Sequence, residues 1–110
     1  MTAPRQYLAA SEAGIAIRTP DDITNAIAST LGYGGLLLTE ADLSPEFFNL
    51  KSGLAGELFQ KFTNYQLRLV LIVAHPERYG ESFRDLAREH RTHNHIRIVP
   101  SRDEAEAMVF

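Results

Sequence analysis

The stretch "LRLVLIVA", residues 67 to 74, limits what this chain can fold into more than any other. It is apolar on both sides of a β pleat, so an edge position would leave large aliphatic side chains in water. Such a run suits a strand buried on both faces, as in a parallel sheet covered by helices. Leu36 to Thr39 repeats the pattern more briefly after Gly34-Gly35, and His95 to Val99 supplies a last strand.

Helical signals fall between these strands. Thr19-Pro20-Asp21-Asp22 offers an N-cap, a proline at the first helical position and acids in the first turn. It predicts a helix presenting Ile23, Ala26, Ile27, Thr30 and Leu31 and ending at Gly32. Ser44-Pro45-Glu46 repeats that grammar, with the Ser44 hydroxyl as cap, and opens a long helix over 45–63 closed by Asn64 and Tyr65. Ser82 to His90 forms a third helix with Phe83, Leu86 and Ala87 inward. Ser101-Arg102-Asp103-Glu104 reads as a capping box for a final short helix packing Ala105, Met108 and Val109. At the other end, Gln6 to Ala10 and Ile15 to Arg18 read as a hairpin around Ser11-Glu12-Ala13-Gly14. The order β-β-α-β-α-β-α-β-α predicts a single α/β domain over residues 1–110. Its sheet is expected to be mixed, mostly parallel, with about five strands packed by four helices.

Composition narrows the function. The net charge of -3 and a pI near 5.7 speak against an electrostatic nucleic-acid binder. Cysteine is absent, which excludes disulfides and thiolate chemistry and fits a reducing cytoplasm. Met1 to Ala10 lacks the basic-then-apolar order of a signal peptide, and no apolar run approaches the roughly 18 residues needed to cross a bilayer. No membrane, nucleic-acid or cofactor partner is therefore expected.

The long helix carries an anomaly. Gly53 and Gly56 lie within it, beside Ser52, and each interior glycine costs about 1 kcal/mol relative to alanine. Phe47, Leu50, Leu54, Leu58 and Phe62 mark the core-facing stripe, widened by Phe48, Ala55 and Phe59. Ser52, Gly53, Gly56 and Gln60 then form a flat patch at its border, with Lys51 and Glu57 beside it. Close approach of another backbone or of a ligand would offset the missing side chains. The neighbour is a helix of the same domain, a partner or second copy, or a small molecule.

Ligand sites in open α/β sheets form beyond the carboxyl ends of the strands. Glu40, Asp42, Ser44, His75, Glu77 and Arg78 occupy those loops. A histidine beside a carboxylate can act as general base, but no nucleophile spacing or triad order accompanies His75, and no residue is assigned a catalytic role. His90, His93 and His95 invite a metal, yet Arg91 and Arg97 would repel a cation, so a solvated turn is expected and no metal site is assigned. "GYGG" at 32–35 precedes a strand, whereas phosphate loops follow one.

Two resemblances follow from particular motifs. "SPEFFNLKSGLAGELFQKFTNYQLRLVLIV", with "SFRDLAREH" after it, resembles the bacterial domain of unknown function family 4180. The resemblance implies no activity, and implies that Ser52, Gly53, Gly56, Glu57, Lys61, Asn64, Tyr65, Arg84 and Asp85 are family features. The element order, and "SGLA" on the helix after the central strand, are also similar to STAS domains, the anti-sigma-factor antagonists. Those domains switch partners by phosphorylating a serine in "DSSGL". Here that serine position falls on Lys51 and the preceding aspartate on Leu50, a departure at both. The resemblance implies a STAS-like fold and partner binding.

The resulting expectation is a non-enzymatic regulatory or protein-interaction module. It would contact a partner protein or a second copy, as a homodimer, through Lys51, Ser52, Gly53, Gly56, Glu57 and Gln60. The alternative is a small enzyme or small-molecule-binding protein using Glu40, Asp42, Ser44, His75 and Arg78.

Overall fold

A computed structural model describes residues 7–107. Strands β1 (Tyr7–Ala9), β2 (Gly35–Thr39), β3 (Leu69–Ile72) and β4 (Ile96–Val99) form one sheet in the order β1-β2-β3-β4, with every pairing parallel. Leu36 to Thr39 pair with Leu69 to Ile72, which pair in turn with Ile96 to Val99. The central position of β3 follows from its composition, since it buries side chains on both faces. Leu69 and Leu71 lie in the larger core with Leu36, Leu38, Ile96 and Ile98, while Val70 lies opposite with Leu37 and Val99.

Among the described residues six α-helices pack around the sheet: α1 (Ala10–Ala13), α2 (Pro20–Thr30), α3 (Pro45–Phe48), α4 (Leu54–Asn64), α5 (Glu81–Glu89) and α6 (Arg102–Ala107). The larger core takes Ile23, Ala26 and Ile27 of α2, Phe47 of α3, Leu58 and Phe62 of α4, and Phe83 and Ala87 of α5. The opposite face packs against Ala105 of α6. Thr19 and Asp22 close the expected start of α2. The Asp22 carboxylate accepts from the N–H groups of Arg18 and Thr19 at 2.9 and 3.0 Å, and these bonds hold its carboxyl below the ordinary range. Ser101 Oγ accepts from the Glu104 N–H at 3.2 Å, as the capping sequence predicts. Gln6, Met108 and Val109 lie outside the described residues.

Three expectations are corrected. The opening hairpin does not form. After β1 the chain turns into α1, and Ile15 and Ile17 go into the core, with Ile17 making only an isolated parallel bridge to Leu43. The sheet accordingly has four strands and no antiparallel member among the described residues. Third, the helix expected over 45–63 is divided. Residues 45–48 are helical, 50–52 make a 3-10 turn, and α4 begins at Leu54.

Gly35, the first residue of β2, pairs with Tyr7. A Cβ at Gly35 would stand 2.6 Å from Tyr7 Cε2 and 2.8 Å from the Arg68 carbonyl oxygen. Only a hydrogen there lets the Tyr7 ring lie across the strand. Burial pushes the Tyr7 phenol up to about 12, against the opposing pull of Arg68 and Arg97. Because the Arg68 carbonyl belongs to the backbone, the contact cannot be relieved by a rotamer change. Gly35→Ala is expected to lower stability by about 1–3 kcal/mol, read as a shift in the urea midpoint at constant slope.

Candidate functional site

The broken helix is built around Ser52. Helix α3 stops at Phe48, and Asn49 takes an extended conformation (φ -88°, ψ 99°). The Asn49 Oδ1 accepts from the Lys51 N–H at 3.2 Å. Ser52 Oγ donates to the Glu46 carbonyl at 2.6 Å and accepts from the Leu54 N–H at 3.3 Å. One hydroxyl therefore satisfies an orphan N–H of α4 and gives the Glu46 carbonyl, which already takes the Asn49 N–H at 3.2 Å, a second donor. Gly53 lies between the two helices at φ 81°, in the left-handed region that glycine enters without strain.

The two glycines consequently have different physical explanations. Gly53 is a junction residue and costs α4 nothing. Gly56 is inside α4, solvent-exposed, with nothing of the described chain within 4 Å of where its Cβ would be. No neighbouring helix among the described residues crosses there. Lys51, Ser52, Gly53, Gly56, Glu57 and Gln60 are all exposed, so the chain presents them on one continuous segment. Beside them Arg18, Pro20, Glu46, Ser52, Gly53 and Glu57 line a shallow cavity of about 290 Å³.

At the strand ends, the residues singled out from the sequence fall into separate local arrangements. Glu40 follows β2; its Oε1 accepts from the Ala74 N–H at 3.1 Å, and its Oε2 accepts from the Tyr79 hydroxyl. This bond to Glu40, then burial, raises the Tyr79 phenol above its ordinary value. The Tyr79 ring stacks on Phe48 at 3.7 Å and meets Phe83 edge-on at 5.7 Å. Asp42 is buried, and its Oδ2 accepts from the Thr39 N–H and hydroxyl at 2.8 and 3.0 Å. His75 Nδ1 lies 3.4 Å from Glu77 Oε1 on the surface, and Arg78 is exposed in the 76–79 turn. The Ser44 hydroxyl departs from its expected capping role: it is buried without a hydrogen bond, and α3 starts on the backbone pairing of Phe47 N–H with the Ser44 carbonyl at 3.0 Å.

The histidines form a structural device in place of the solvated turn expected from the sequence. His90 Nδ1 lies 2.8 Å from the Leu86 carbonyl, and its ring contacts Phe59 and stacks on His93. His93 Nδ1 accepts from the N–H groups of both His95 and Ile96 at 3.1 Å, starting β4. That nitrogen must be unprotonated, so the neutral ring carries its proton on Nε2. Among the described residues, no group of three histidines or carboxylates is arranged to hold a metal ion. No helix among them is long and apolar enough to cross a membrane.

A family model described as "Domain of unknown function (DUF4180)" matches residues 2–109. The chain belongs to this family. No curated protein and no solved structure matches it. The family features expected on the long segment are now resolved by role: Ser52 and Gly53 make the junction, while Gly56 and Glu57 are surface residues of α4. Arg84 and Asp85 pair with each other at 3.2 Å on exposed positions of α5. The Ser52 junction was not apparent in the apolar spacing, although Ser-Gly is itself a turn signal.

Two outcomes follow. Ser52→Ala should lower stability by about 1 kcal/mol, because it leaves the Leu54 N–H to water and takes one of two donors from the Glu46 carbonyl. This would appear as a lower urea midpoint, with faster hydrogen exchange at Leu54 confined to that end of α4. For His93, burial first and then His90 and His95 hold its pKa below the ordinary 6.5. The neutral form is favoured in the native state. Its contribution is therefore complete above pH 6.5 and declines as pH falls through the lower native value. Urea midpoints measured across that range should fall with acid in the wild type and fall less steeply in His93→Ala.

Proposed function

We propose that this chain is a non-enzymatic protein-interaction module whose contact surface is the exposed junction and start of α4, with Lys51, Ser52, Gly53, Gly56, Glu57 and Gln60. Its first partner is a second copy of the chain. The observation that carries the reading is Gly56. Alanine would fit at that helical position, touch nothing and gain about 1 kcal/mol of helix propensity, yet the position holds glycine. A surface that forgoes such stability at no structural benefit to its own chain is explained by close approach of another main chain. The adjoining cavity gives a partner side chain a seat between Arg18 and Glu57. Lys51 and Glu57 supply opposite charges that can fix register.

The STAS-like part of the proposal is confined to partner binding. The element order that prompted the comparison included a hairpin that this fold lacks, and Lys51 occupies the position of the phosphorylated serine. Regulation on this reading works through association alone, in the reducing cytoplasm that a cysteine-free chain tolerates. The strand-end alternative is less well supported, because Glu40 and Asp42 are engaged by backbone and hydroxyl donors of their own chain.

Light scattering over a concentration series tests the proposal. Wild type should self-associate. Gly56→Ala should be more thermally stable as a monomer and associate more weakly, and Gly56→Leu should be a folded monomer. A wild-type chain that stays monomeric at every concentration, or a Gly56→Leu variant that associates as well as wild type, would overturn it.

A further inference from the structure

A second feature lies on other elements and is independent of the interaction reading. The cavity beside the edge strand, where β3 and β4 end, has a volume of about 220 Å³. Val73, Ile98 and Pro100 give it an apolar floor, and Pro76, Ala87 and Val99 complete the apolar lining. Arg84, Arg88 and Arg91 line the remaining wall. The wall is held in place by the backbone: the Ile98 N–H donates to the His90 carbonyl at 3.0 Å, which fastens the end of α5 to β4. The Val73 N–H donates to the Val99 carbonyl at 2.9 Å, which extends the β3–β4 pairing beneath the cavity.

Three of the chain's 11 basic residues thus gather around one small cavity in a protein of net charge -3. Arg84 pairs with the neighbouring Asp85 at 3.2 Å, on the surface, where such a pair contributes little. Arg88 and Arg91 make no side-chain hydrogen bond or ion pair with the described residues. The single acid in the lining, Glu77, faces His75 at 3.4 Å. Positioned guanidinium groups of one sign raise the local potential and favour an anion. Guanidinium groups also match phosphate oxygens in paired hydrogen bonds. The place is the one that open parallel sheets use for ligands, outside the carboxyl ends of the strands.

We infer that this cavity binds a small organic phosphate. The phosphate group would lie among Arg84, Arg88 and Arg91, with a compact apolar body on Val73, Ile98 and Pro100. A phosphate offers Arg88 and Arg91 more charged acceptor oxygens than a single carboxylate does. The floor favours an apolar substituent over the bare ion, and the small volume excludes a long chain. The role is binding, and no group transfer is included.

Isothermal titration of the full chain in low-salt buffer tests this with phenyl phosphate, inorganic phosphate and benzoate as probes. Phenyl phosphate should bind most tightly, inorganic phosphate more weakly for want of the apolar contact, and benzoate most weakly. Arg88→Gln/Arg91→Gln should weaken phenyl phosphate binding by about 10-fold or more, as loss of charged hydrogen bonds entails. Lys61→Gln/Arg102→Gln, which likewise removes two positive charges, on α4 and α6, should leave binding unchanged and serves as control for net charge. Circular dichroism of the double variant should match wild type, since both arginines are exposed. The inference is overturned by no heat or shift with phenyl phosphate at millimolar concentration. It is equally overturned by benzoate binding as tightly as phenyl phosphate, or by undiminished binding in the folded double variant.

Discussion

The pairing of β2 with β3 is the constraint on which the rest depends. Both strands are apolar on successive residues, so neither face of the sheet can meet water. Both pair in parallel with their neighbours, which rules out hairpins and requires each connection to cross back over the sheet. Helices α2, α4 and α5 are those crossovers, and they bury one face. The other face packs against α6, the helix that follows the last strand. Sheet order, layer order and the positions of the loops follow from where leucine, isoleucine and valine are placed in about a dozen residues.

This explains which parts of the fold could be read from the chain itself. The helices over 20–30 and 81–89, and strands β2, β3 and β4, were legible because hydrophobic period and capping chemistry agree there. The hairpin was not, because Ile15 and Ile17 alternate as a strand would. Their alternation reflects burial in the core beside β2 and not pairing with β1. The missing antiparallel strand and the isolated bridge from Ile17 to Leu43 have that same cause. Periodicity reports which side chains are buried, and leaves unstated what the backbone pairs with.

The candidate surfaces show the same division. Exposure of Lys51, Ser52, Gly56, Glu57 and Gln60 was legible, since they fall between apolar positions. The break at 49–53 was concealed, because Phe47, Leu50, Leu54, Leu58 and Phe62 keep nearly helical spacing through it. Asn49 and Ser52-Gly53 carried the contrary signal in their side-chain chemistry. The arginine-lined cavity was not legible at all. Arg84 and Arg88 lie outside the inward set of Phe83, Leu86 and Ala87 on α5, and only the approach of Ile98 to His90 turns that face into one wall of a cavity.

The break in the helix has a physical return that an uninterrupted helix would lack. Ending α3 at Phe48 exposes backbone groups, and the Asn49 and Ser52 side chains satisfy two of them, the Lys51 N–H and the Leu54 N–H, while Ser52 adds a second donor to the Glu46 carbonyl. Phe48 meanwhile lies flat on Tyr79 and edge-on to Phe83 at 5.1 Å, which connects the broken helix to α5. Tyr79 is thereby held with its hydroxyl on Glu40, whose other oxygen takes the Ala74 N–H. The ends of β2 and β3 are thus joined through one carboxylate, and that carboxylate is positioned by an aromatic contact from the segment where the helix stops. A serine and a glycine that look like flaws in a helix are what allow the strand ends to be closed from the side.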